Sequence, residues 1–97
     1  MNYNASKSNT GNIVLAHTSA VSEAQASALL SDMDKSRQTP SESAVRDSLT
    51  KVGIKQASKF KIIVEQKDGK ITVLLLDDPG DEQKARDAAA KVTSQHK

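Results

Sequence analysis

The sequence predicts a single small α+β domain, and three observations predict it. Two stretches, beginning near Ser22 and Thr39, carry apolar residues at helical spacing behind capping boxes. Two alternating segments flank Asp68-Gly69, a pair that favours the two-residue turn of a β-hairpin. An alanine stripe then follows Asp78-Pro79, residue types that start helices. The expected architecture is two N-terminal helices, an antiparallel β-hairpin and a C-terminal helix packed on the sheet. A chain of 97 residues can build one such core, but not a deep cleft between two lobes.

Residues 1–12, MNYNASKSNTGN, are polar and small, too poor in apolar surface to offset their ordering entropy. They are expected to form a disordered tail, with the α+β domain spanning 13–97. Ile13 to Ala16 is the first apolar run. At four residues it fits either a short third strand or a lead-in to the first helix. Ser22 and Gln25 form a capping box, and Ala26, Leu29, Leu30 and Met33 follow as one apolar stripe that should fade near Arg37. Thr39 and Glu42 form a second box, with Pro40 at the first helical position, where its missing N–H costs nothing. Val45, Leu49 and Val52 make the buried stripe of this helix, 40–52. Gly53 can take the left-handed conformation that ends it, and Ile54 can fold back onto Leu49.

The hairpin pairs Lys59–Lys67 with Lys70–Asp77. A two-residue turn sets Gln66 opposite Ile71, Val64 opposite Val73 and Ile62 opposite Leu75, and these residues with Phe60 form one apolar face. The other face sets Lys61, Ile63, Glu65 and Lys67 against Leu76, Leu74, Thr72 and Lys70. It is polar at the turn and apolar at the open end, so Ile63, Leu74 and Leu76 form a candidate patch for a partner. Asp78 then caps the last helix, Asp81 and Glu82 lie in its first turn, where the dipole favours negative charge, and Ala85, Ala88, Ala89 and Val92 form its stripe. Asp77, Asp78 and Asp81 also have the chemistry of a hard-cation site. The cap reading accounts for the same residues, so no metal site is assigned.

Composition narrows the function classes. There is no cysteine, which excludes thiolate chemistry and disulfides. Tyr3 and Phe60 are the only rings, too few for base-stacking platforms. Neither a signal-peptide pattern nor an apolar run of 18 residues is present, so a soluble cytoplasmic protein without membrane contact is expected. The glycines match no phosphate-binding loop. His17 and His96 lack ligand spacing, and His17 is expected as a surface or helix-flanking residue. The serines fall at caps or on solvent faces. The expectation is therefore a non-enzymatic protein, with no catalytic residue, cofactor or small-molecule substrate.

The net charge is +2, and the positive excess lies in the middle of the chain. Lys51, Lys55, Lys59, Lys61, Lys67 and Lys70 occupy residues 51–70 against Glu65 and Asp68, and Arg46 precedes them. These seven cations are the candidate nucleic-acid or partner-binding residues. Ser41 to Gln56, with Val45-Arg46, Leu49 and Gly53-Ile54 in order, resembles a recognition helix of the winged helix-turn-helix superfamily. Glu65 to Thr72 would then be its wing. The resemblance covers about a third of the chain and implies contact with double-stranded DNA. The hairpin between two helices is also similar to that of BON-type domains, which are linked to membrane or partner binding, although no strand follows the last helix here. Two functions are expected. The first is a small interaction or regulatory protein, binding another protein or itself as a homodimer through the sheet and hairpin. The second is a winged-helix-like DNA-binding regulator using helix 40–52 and the 59–77 hairpin.

Overall fold

The computed structural model describes residues 3–8, 11–18, 20–36, 41–55, 57–67 and 69–94. Its elements are β1 (Asn4–Lys7), β2 (Ile13–His17), α1 (Glu23–Ser36), α2 (Glu42–Lys51), β3 (Lys61–Lys67), β4 (Lys70–Leu76) and α3 (Glu82–Ser94). Short 3-10 turns at Ala57–Lys59 and Pro79–Asp81 lead into β3 and α3. The α+β class holds, as one small domain with a mixed four-stranded sheet. The order of elements differs from expectation because strands precede the helices. Arg37, Thr39, Pro40, Asp68, His96 and Lys97 lie outside the described residues.

The sheet order is β1-β2-β4-β3. The β3–β4 hairpin has the register its turn dictates, with Ile62 opposite Leu75, Val64 opposite Val73 and Gln66 opposite Ile71. Gly69 takes φ 79°, as a tight hairpin turn requires. The run at Ile13 is a strand. It lies beside β4, parallel to it, with Leu15 opposite Val73. All five of its residues are buried, which is why the four ahead of His17 read as an unbroken apolar run. The polar tail is not wholly disordered: Asn4–Lys7 pairs antiparallel with β2 as β1. Backbone hydrogen bonds hold this strand, and they leave little trace in composition.

The helices cover both faces of the sheet. On one face α1 and α2 pack Ala26, Leu29, Leu30, Met33, Val45 and Leu49 against Ile13, Leu15, Ile62, Val73 and Leu75. On the other, α3 lays Ala85 and Ala89 on Val14, Ala16, Leu74 and Leu76. Each fully buried Leu or Val contributes about 1.5–3 kcal/mol over its exposed state. The alanines let α3 lie close to the sheet, across β1, β2 and β4.

Local signals set most helix ends. Ser22 Oγ accepts from the Gln25 amide, and Gln25 Oε1 accepts from the Ser22 amide (both 3.1 Å), which is the predicted box. The N-cap of α2 is Ser41, whose hydroxyl accepts from the Ala44 amide, so this helix begins later than Thr39 implies. Its C-terminus is a Schellman ending: Ile54 N–H donates to the Leu49 carbonyl (3.0 Å), Gly53 N–H to Thr50 (3.1 Å), and Gly53 sits at φ 88°. Asp78 caps not α3 itself but the 3-10 turn Pro79–Asp81, accepting from the Gly80 amide (2.9 Å), so α3 begins at Glu82, later than Asp78 and Pro79 imply.

Candidate functional site

The predicted site residues do not converge. Leu74 and Leu76 have no exposed surface, and Ile63 is half-buried against the same cluster. Their apolar patch is therefore the seat of α3, not a surface open to a partner. Arg46 is held in place, donating to the Ala57 carbonyl (3.0 Å) and to Glu42 (2.9 Å). Lys51, exposed, pairs with Asp32 at 3.8 Å. Lys55, Lys59 and Lys61 are exposed where α2 hands over to β3, whereas Lys67 and Lys70 are register partners at the hairpin turn. A seven-residue strand separates these two groups by roughly 20 Å.

The aspartates at the end of β4 are joined to the polypeptide around them. Thr18 Oγ1 donates to Asp77 Oδ2 (2.8 Å), the Asp77 amide donates to the Tyr3 hydroxyl (3.1 Å), and that hydroxyl donates to Asp81 Oδ2 (3.1 Å). Open α/β sheets place ligands at such an end, where adjacent parallel strands send their helices to opposite faces. Here the side chains of that end bond to one another. Among the described residues, no three His, Asp or Glu side chains are placed to hold a metal ion.

A groove lies along β1. A cleft of about 810 Å³ is bounded by Tyr3, Asn4, Ala5 and Ser6, by His17 and Glu23, and by Lys84, Asp87, Ala88, Lys91 and Val92 of α3. A smaller one of about 230 Å³ continues it, lined by Ser6, Lys7, Ser8, Glu23, Ser27, Leu30 and Ser31. The two share Ser6 and Glu23, so together they run the length of the strand between the start of α1 and the outer face of α3.

The floor of this groove is a sheet edge with known polarity. Ser8 N–H donates to the Ile13 carbonyl (2.9 Å), so the Ser8–Ile13 pair is hydrogen-bonded. Antiparallel pairs alternate, and the register carries that alternation to Ser6–Leu15 and Asn4–His17. Ala5 and Lys7 are the non-bonded positions. Their N–H and C=O groups point away from β2, into the groove.

His17 closes one end of the floor and is buried, at 2% exposure, against the expectation of a surface residue. Its Nδ1 lies 3.1 Å from the Thr18 carbonyl. A carbonyl only accepts, so Nδ1 carries the proton. Nε2 is buried with no hydrogen-bond partner among the described residues. The sequence held one signal for this region, the alternation of Tyr3 and Ala5 with polar neighbours. Two small or amphipathic residues in a polar tail are too weak a pattern to set apart from chance.

Comparison of the chain with protein-family models, with curated proteins and with solved structures found no match. No helix among the described residues is long and apolar enough to cross a membrane.

Proposed function

We propose that this protein is a non-enzymatic binding module that engages another polypeptide through the free β1 edge of its sheet. One observation carries the reading: the outward N–H and C=O groups of Ala5 and Lys7 form the floor of a groove walled by α1 and α3. A sheet edge inside a walled groove offers backbone hydrogen bonds for affinity and flanking side chains for selectivity, which is how strand-adding peptides are recognised. DNA binding through helix 40–52 and the hairpin is the lesser reading. The exposed face of α2 sets Glu42 and Asp47 beside Arg46 and Lys51, and the lysines fall at two ends of β3. Phosphate contacts along a duplex need cations on one continuous surface.

The test is selection of displayed random peptides on the full chain, followed by NMR chemical-shift mapping of the winners. Shifts should concentrate at Asn4–Lys7 and along the facing sides of α1 and α3. Winners that map instead to Lys55, Lys59 and Lys61, or the failure of any sequence to be enriched, would sink the reading.

A further inference from the structure

The walls of the groove define what it takes. We propose that the occupant is an extended segment of another polypeptide, added as a fifth strand beside β1, with apolar side chains on alternate positions toward α3 and basic side chains between them toward α1. This rests on the polypeptide-binding reading above and assigns the partner's chemistry.

Side chains of a strand alternate between faces, so an added strand sends every second residue to each wall. The α3 wall offers Ala88 and Val92, both half-buried, beside Ala5, with the charged Lys84, Asp87 and Lys91 lining it as well. A partner's aliphatic side chain there would cover apolar surface that α3 leaves uncovered. The α1 wall offers Glu23, exposed in the first turn of the helix, and then the exposed Ser27. A lysine or arginine there meets a carboxylate and a hydroxyl. The backbone of Ala5 and Lys7 supplies the ladder.

A second copy of the chain is the poorer fit. Tyr3 and Ala5 pack on the α3 side, so in an antiparallel pairing the side chains that a second β1 turns toward Glu23 are those of Asn4 and Ser6, and neither carries a cation. The other sheet edge, β3, carries the exposed Lys61, a charge that deters pairing. β1 carries a single charge, Lys7 at its last position, against Lys61, Glu65 and Lys67 in β3.

The test uses the full chain, labelled with nitrogen-15, and two end-capped peptides, one alternating valine with lysine and one alternating valine with glutamate. The lysine peptide should slow hydrogen exchange at the Ala5 and Lys7 amides. The Ser6 amide, already turned toward β2, should change little. The lysine peptide should bind about fivefold tighter than the glutamate peptide, and Glu23→Lys should reverse that order. Lys7→Pro removes one edge donor without touching the ladder to β2 and should weaken binding about tenfold. Peptides N-methylated on alternate residues make the test independent of that variant's folding: one phase of methylation should abolish binding and the other spare it. Equal response to both peptides, unchanged by Glu23→Lys, would overturn the assigned partner chemistry while leaving β1 as a binding edge. Protection of Ala5 and Lys7 that grows with protein concentration alone would make a second copy the occupant, and overturn the proposal. Peptides that leave every β1 amide unperturbed would remove the site itself.

Discussion

Tyr3 joins three parts of the chain through one hydroxyl. It accepts from the Asp77 amide at the end of β4 and donates to Asp81 ahead of α3, while its ring, just ahead of β1, packs beside the α3 cluster. Replacing it with phenylalanine keeps the ring and removes both bonds, leaving a half-buried amide without its partner. Tyr3→Phe should cost about 1 kcal/mol at neutral pH, measured by urea unfolding. The same group sets part of the alkaline limit. Burial raises its pKa above the ordinary 10.0, the bond from the Asp77 amide works against that, and the bond to Asp81 and the charges of Asp81 and Asp77 add to the rise. The folded state thus keeps the phenol proton to higher pH than the unfolded chain does. The contribution is fully present below about pH 10 and is lost as pH climbs through the folded-state value. Stability should fall more steeply above pH 10 in the native sequence than in Tyr3→Phe. With one tyrosine and no tryptophan in the chain, the ultraviolet absorbance of the phenolate reports this ionisation alone. A midpoint at or below the ordinary value would contradict the burial of Tyr3.

At the scale of elements, the signals that proved legible were local and stereochemical. Gly53 is the clearest. Its φ of 88° lies in the left-handed region, and a Cβ there would meet no atom within 4 Å, so any penalty for alanine comes from the backbone itself. Gly53→Ala should cost about 1 kcal/mol and Gly53→Asn less, read as the shift in unfolding midpoint. Equal stability of all three would mean that the Schellman ending does not form in solution. The hairpin register and the Ser22–Gln25 box were legible for the same reason, because each is fixed by residues within five positions of one another, whereas Asp78, expected as the cap of α3, caps the 3-10 turn Pro79–Asp81 that precedes it. The start of α2 was misjudged because Ser41 and Thr39 carry equivalent caps two residues apart, and the choice between them depends on how the helix packs. β1 was missed because an edge strand needs only backbone pairing with β2. Its residues, Asn4 to Lys7, have neither the β-branched content nor the clean alternation that marks a strand in sequence. The candidate groove went unseen with it, since a groove between β1, α1 and α3 exists only once the strand order is known.

For the whole molecule, the decisive fact is that residues 73–76 of β4 are buried on both faces by their own chain. From sequence alone, the face that carries Leu74 and Leu76 could be covered by a helix, by the Ile13–Ala16 strand or by another subunit. The alanine helix was expected on the sheet, but without β2 beside β4 there was no way to see how far across it would lie. In the structure Leu74 and Leu75 are neighbours in one strand, both without exposed surface, one beneath α3 and the other beneath α1 and α2. Truncating a buried leucine to alanine costs the transfer energy of the lost methyls and the cavity left behind, about 2–5 kcal/mol. If α3 is as integral to the fold as the other layer, Leu74→Ala and Leu75→Ala should fall in that range together, and both should unfold in a single transition. That loss is a large share of the roughly 5–15 kcal/mol that holds a domain of this size folded. The alternative makes a different forecast. If α3 were a loosely docked cover, opening on its own to release the sheet face, Leu74→Ala would cost well under half of Leu75→Ala. The α3 amides would then exchange with solvent far faster than those of α1. Such a result would return Leu74 and Leu76 to the list of surfaces a partner can reach. Equal losses would confine partner contact to the exterior of a closed three-layer domain, where the β1 edge is the stretch of sheet that still offers unpaired backbone inside a groove.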